Sequence, residues 1–276
     1  MKRLLLSLCL VLASAGFAAA GSLDAFKGQK GTLDIAGGTA HIPVMKGAAQ
    51  NIMEANSDIR VTVAGGGSGV GVQQVGEGLV QIGNTGRALK PAEIEKYGLR
   101  SFPFAVDGVA VAVNPANPVA ALEKEQLKKV FAGEIVNWKD LGGNDAIISV
   151  YVREDGSGTR ETFEERAVDK TPASDKSNVV NSNGAMKTAI AQDKNAIGYV
   201  GIGHLDESVK GVAVDGMVPT QQNARDGSYT VTRLLYMNTK GEPEGLTRAF
   251  IDYIYTPDGQ AIVAGAGYIP MDKPAQ

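Results

Sequence analysis

Between positions 153 and 159 the chain reads Arg-Glu-Asp-Gly-Ser-Gly-Thr, a guanidinium followed closely by two hydroxyls. The apolar run Ile147 to Val152 predicts a strand before it, and Thr159 to Val168 a helix after it. A helix start carries unpaired N–H groups and a partial positive charge, so it attracts anions. An arginine fork suits a tetrahedral oxyanion, because it donates two parallel hydrogen bonds. Asp155 is spaced to hold that fork, and Arg160 falls just inside the helix. Without a ligand, the same residues would make an ordinary capped helix with a surface ion pair.

Two further turns share the order strand, hydroxyl-bearing glycine turn, helix: Gly37-Gly38-Thr39-Ala40 and Gly65-Gly66-Gly67-Ser68-Gly69. Either one alone reads as helix capping, for which Ser and Thr are preferred. Three such starts in one chain point to a shared anion site.

The elements that must position these loops alternate. Strands are expected at 32–36, 59–64, 79–82, 147–152 and 196–200, and helices at 43–55, 72–77, 124–131, 159–168, 184–192, 244–255 and 257–264. That alternation predicts α/β units with largely parallel sheets. Two strongly apolar runs, 102–114 and 230–238, are placed to cross between two lobes. Lobe 1 is then discontinuous, 31–108 with 232–276, and lobe 2 is 109–231. Residues 21–30 read as an unstructured lead.

A secreted serine hydrolase is the rival chemistry. Neither Ser68 nor Ser157 fits G-x-S-x-G, since Val70 and Asp155 break the pattern. Only His41 and His204 could serve as a general base. No Walker A pattern, dinucleotide fingerprint or zinc spacing is present, so no cofactor and no metal is expected.

Residues 1–20 read as a cleaved signal peptide: Lys2 and Arg3, an apolar run from Leu4 to Leu12, then small residues ending at Ala20. The apolar run falls short of the about 20 residues that a membrane-spanning helix needs. The only cysteine, Cys9, lies inside it, so the exported chain would carry no disulfide. Taking Lys2 and Arg3 from the 27 basic residues leaves 25 against 30 acids, a net charge of about −5. A nucleic-acid partner would want the opposite sign. A small anion is not excluded, because a few inward donors dominate locally.

VREDGSGTRETFE (152–164) resembles the signature loop of the periplasmic phosphate-binding proteins of ABC transporters. DGVAVAVNPANPV (107–119), QLKKVFAGEIVNWKDLGG (126–143) and NAIGYVGIG (195–203) resemble further blocks of that family, in the family's order. The resemblance implies an α/β two-lobed type II periplasmic binding protein fold, each lobe a mostly parallel sheet flanked by helices. It implies two hinge crossings and closure on one inorganic phosphate. It implies contacts from Arg153, Ser157, Gly158 and Thr159 in one lobe, and from Ser68, Thr85, Thr39 and the N–H of Ala40 in the other. His41, Asn84, Arg87 and Asp155 would stand around them. The implied partners are the permease subunits of an ABC importer, with the binding protein itself a periplasmic monomer and not an enzyme.

One departure bears on selectivity. Where well-known members present an aspartate that accepts a proton from phosphate and repels sulfate, this chain has Gly86. Asn84, Thr85 and Asp155 are the candidates to replace it, and sulfate or molybdate stands as the alternative ligand.

Overall fold

The computed structural model describes residues 22–274; the expected signal peptide and Cys9 lie outside them. Lobe 1 begins with the strand Gly31–Gly37, pairing in parallel with Ile59–Gly66 on one side and Ile82–Thr85 on the other. The helix Ile42–Ala55 covers this sheet through Val44, Met45, Ala48, Ala49 and Ile52, the stripe expected of a 3.6-residue period. In lobe 2 the strand Ser149–Arg153 pairs in parallel with Ala196–Gly201 and with Asn178–Val180.

The crossing strands depart from parallel pairing. Leu99–Val113 and Thr232–Lys240 run antiparallel, paired from Leu99 opposite Lys240 to Gly108 opposite Thr232, with a shift of register between Leu235 and Tyr236. Beyond that point Val109 to Val113 pair antiparallel with Ala196–Gly201. The chain leaves lobe 1 through one long strand and returns through the other, so their directions must oppose. One ladder of strands therefore runs through both lobes.

The apolar side chains divide accordingly. One core gathers residues from Phe26 to Ala105 and from Leu235 to Tyr268. Two others gather residues between Val109 and Val231. The lead before the first strand is not loose: Asp24–Phe26 forms a 3-10 turn, and Phe26 is buried edge-on against Tyr253 at 5.8 Å.

Several elements differ from the expected ones. The third strand is Ile82–Thr85, not 79–82, and Leu79 is 64% exposed. Asn84 and Thr85 lie buried in it: Gly38 N–H donates to the Asn84 backbone carbonyl and Asn238 Nδ2 to Thr85 Oγ1, while Asn84 Oδ1 has no partner among the described residues. The second helix starts inside the glycine run, at Gly67–Gly76, with Gly66 and Gly67 at φ 127° and 85°. Only glycine takes that backbone without strain. The short helices Pro91–Tyr97 and Gln221–Asp226 were not expected at all. Among the described residues no helix is long and apolar enough to cross a membrane.

Candidate functional site

Three helix starts converge between the lobes. The turn Thr39–His41 leads into Ile42–Ala55, Gly67–Gly76 opens at Ser68, and Gly158–Arg166 opens behind its cap, Ser157. Gly38, Thr39, Ala40, His41, Gly67, Ser68, Gly86, Arg153, Ser157, Gly158, Thr159 and Arg233 line a small cavity of about 10 Å³.

Arg153 ends its strand with 1% of its side chain exposed. Its own N–H donates to Tyr199 Oη at 2.9 Å, and Tyr199 stacks on Phe163 of the following helix at 4.0 Å. Strand end and helix start are thereby locked together. Glu154 grips the guanidinium from one side, accepting Nε at 2.8 Å and Nη2 at 2.7 Å. Arg153 Nη1 is buried with no partner among the described residues.

The hydroxyls are engaged by the groups around them. Ser68 Oγ accepts Gly86 N–H at 3.0 Å, and Ser157 Oγ accepts Arg160 N–H at 3.3 Å. Thr39 Oγ1 accepts Asn183 N–H and Nδ2 at 3.2 and 3.1 Å. Thr159 Oγ1 accepts Arg233 Nη1 at 2.9 Å and Asn183 Nδ2 at 3.4 Å. A hydroxyl has one proton and two lone pairs, so Thr39 and Thr159, each accepting twice, are left to donate, while Ser68 and Ser157, each accepting once, have a proton and one lone pair to offer. The cavity is therefore rich in donors, and no carboxylate is among its lining residues. That is the electrostatic complement of an anion.

Several expected residues sit elsewhere. Asp155 does not hold the arginine fork: its side chain is 99% exposed and pairs with Arg160 Nη1 at 2.9 Å. Neighbouring side chains in the turn point apart, and the longer Glu154 reaches back where aspartate could not. Thr85 is buried but does not line the cavity; its hydroxyl donates to the Arg87 carbonyl at 2.8 Å and faces Asn238. Asn84 is likewise buried outside the lining. Arg87 pairs with Glu93 at 2.7 Å and, across the lobes, with Glu161 at 2.8 Å. Thr39, Ala40, His41, Ser68, Arg153, Ser157, Gly158 and Thr159 are brought together at the cavity.

Two residues were missed. Asn183 opens the helix Asn183–Gln192 and ties Thr39 to lobe 2. Arg233 lies on the returning strand directly opposite Asp107, donating Nε at 3.0 Å and Nη2 at 2.8 Å to its carboxylate. A signal for the second existed: one acid in the apolar run 102–114 and one base in 230–238, charges that are buried only when paired. Burial pushes the Asp107 carboxyl up, against the pull of Arg233.

The lobes meet closely over the cavity. Gly69 N–H donates to the Gly156 carbonyl at 3.0 Å. A Cβ on Gly158 would run into Ser68 Oγ and stand 3.2 Å from Gly86 Cα. Gly158→Ala should therefore hinder closure but not folding. Overpacking of about 1–3 kcal/mol confined to the closed form predicts a loss of anion affinity of about tenfold or more. Calorimetric titration with an unchanged melting temperature of the free protein would show it; unchanged affinity would contradict it.

A family model described as a PBP superfamily domain matches residues 25–258. The phosphate-binding protein PstS of Bacillus subtilis is 39% identical over 264 residues, covering 94% of this chain and 88% of that protein. Among solved structures, a phosphate-bound putative phosphate ABC transporter substrate-binding protein from Clostridium perfringens aligns with a TM-score of 0.80 and 35% identity. That alignment covers 88% of this chain and 100% of the other. An ABC-type phosphate transport receptor from Vibrio cholerae aligns at 0.70 with 32% identity, over 86% and 99% of the two chains.

Proposed function

This chain belongs to the PBP superfamily and, within it, to the phosphate-binding proteins of ABC transporters, and from that premise we propose how it captures phosphate and what it serves. Two lobes close on one inorganic phosphate, which is then delivered to the permease of an ABC importer. The observation that carries the assignment of the site is the donor set drawn from both lobes around one small cavity, with Arg153 Nη1 buried and unpartnered at its wall.

Taking a charge out of water costs several kcal/mol unless hydrogen bonds replace the hydration shell. In this reading Arg153 Nη1, the hydroxyls of Thr39, Ser68, Ser157 and Thr159, and the N–H groups of Ala40, Gly158 and Thr159 replace it. Neither lobe holds enough donors alone, so ligand and closure are coupled. The hinge lies where the antiparallel strands pass from one core to the other, near Gly108 and Thr232. The division into 31–108 with 232–276 and 109–231 is supported by the two sets of cores. The Arg87–Glu161 pair and the weaker Lys90–Glu161 pair at 3.7 Å clasp the lobe rims.

We assign no catalysis. Ser68 Oγ accepts from a backbone N–H, neither ring nitrogen of His41 is hydrogen-bonded to it, and His204 does not line the cavity. The protein acts outside the cytoplasm as a monomer, after signal cleavage following Ala20. A lining without a carboxylate also suits sulfate or molybdate, which makes these the second reading. A thermal-shift series on the exported protein separates the two. A ligand at about 100 times its Kd adds about 2.7 kcal/mol, a shift of about 5–10 °C for a chain of this length. Phosphate should give the largest shift; a sulfate shift equal to it would overturn the phosphate assignment.

A further inference from the structure

Phosphate at neutral pH carries at least one proton, and sulfate carries none. A site that separates them needs an acceptor for that proton among its donors. Of the four hydroxyls at the cavity, those of Thr39 and Thr159 accept two N–H groups each and are left to donate, while those of Ser68 and Ser157 already accept one each. Gly86 offers no side chain, and the Arg233 guanidinium fills the space beside it: a Cβ there would lie 2.7 Å from Nη1. Arg153 and Arg233 can only donate. Among the described side chains lining the cavity, His41 is then the one able to accept whose buried polar atoms have no partner.

His41 is fully buried, with its ring tilted against Phe104 at 5.6 Å. Neither ring nitrogen has a hydrogen-bond partner among the described residues. Nδ1 lies beside Gly38, itself a lining residue; a Cβ on that glycine would stand 2.6 Å from it. A buried, unpartnered polar group costs stability without return unless something comes to meet it.

Resting on the reading of the site as a phosphate site, we propose that His41 determines its specificity: one ring nitrogen presents its lone pair to the cavity and accepts the hydrogen bond of the phosphate P–O–H. The ring's charge state fits. Burial, reinforced by Arg233, holds the imidazole pKa down to about 3, so the ring is neutral and keeps a lone pair. Backbone groups at Gly38, Thr85 and Tyr236 pull the other way without overcoming burial. A neutral imidazole has one donor and one acceptor nitrogen. Sulfate would set an unprotonated oxygen against that lone pair and lose affinity; arsenate, which also carries a proton, would not.

The test is calorimetric titration of phosphate, arsenate and sulfate into the wild-type protein, His41→Phe and His41→Gln. Phenylalanine removes the acceptor, and phosphate and arsenate affinity should fall about tenfold while the sulfate constant holds. Glutamine, whose amide oxygen accepts, should recover part of the preference. An equal change for phosphate and sulfate in His41→Phe would overturn the proposal and leave the phosphate reading standing. No phosphate binding by the wild-type protein would instead overturn that reading. Should His41→Phe not fold, ¹⁵N spectra of the wild-type imidazoles decide, since the chain has only two histidines. The unprotonated His41 nitrogen should shift with phosphate and not with sulfate; matching spectra would overturn the proposal.

Discussion

Replacing Arg153 with methionine is expected to weaken phosphate binding by about 100-fold. Hydrogen bonds to charged groups contribute about 1.5–3 kcal/mol each, and about 2.7 kcal/mol corresponds to 100-fold in Kd. Its Nη1 is buried at the cavity with no partner among the described residues, and methionine keeps the length of the side chain while removing every donor. Glu154 loses its partner, but its side chain is 23% exposed and can turn to water. The fold should therefore survive, and the loss should appear in the release rate more than in capture. Arg153→Lys is the sharper variant. An ammonium cannot lie in the Glu154 grip and still point a second donor at the ligand in the same plane, so a loss of roughly tenfold is expected. Calorimetry on both variants decides; a loss below threefold in Arg153→Met would remove Arg153 from the site.

The largest effect on stability is expected at Arg233→Met. Arg233 and Asp107 are both buried and face each other across the two crossing strands. Removing one member of a buried pair leaves an uncompensated charge, at a cost of about 3–5 kcal/mol. For this chain length that lowers the melting temperature on the order of 10 °C. The pH dependence has a definite sign. The Asp107 carboxyl is already raised by burial, and losing Arg233 raises it further. A raised carboxyl binds its proton more tightly in the folded state, so the variant's deficit should shrink as pH falls through the folded pKa. Asp107→Asn with Arg233→Met should recover most of the loss, because no charge is then left buried. A single variant that melts with the wild type, or a deficit that grows toward acid, would contradict this account.

The local elements were legible because they depend on neighbours in sequence. Periodicity placed the helix Ile42–Ala55, the strand Ser149–Arg153 and the helix after Ser157 within a few residues. Where it failed, a distant partner had reversed a local preference. The apolar run at 79–82 suggested a strand that the structure sets three residues later, where Asn238 meets the Thr85 hydroxyl and Gly38 the Asn84 backbone carbonyl.

The loop at 153–159 shows where the two kinds of information divide. Its residue types alone specified an oxyanion, since a guanidinium and a helix start carrying hydroxyls are consecutive in the chain and meet by local geometry. Which carboxylate holds the guanidinium was decided by the turn's conformation, with Glu154 gripping it and Asp155 facing solvent. Tertiary structure also decided which N–H groups engage the hydroxyls. Asn183 lies 144 residues from Thr39, and Arg233 74 from Thr159. Hydrogen bonds demand heavy atoms within about 3 Å at a fixed angle. Spacing in a sequence can place residue types on one loop, but only the folded chain can set such distances between loops from opposite lobes.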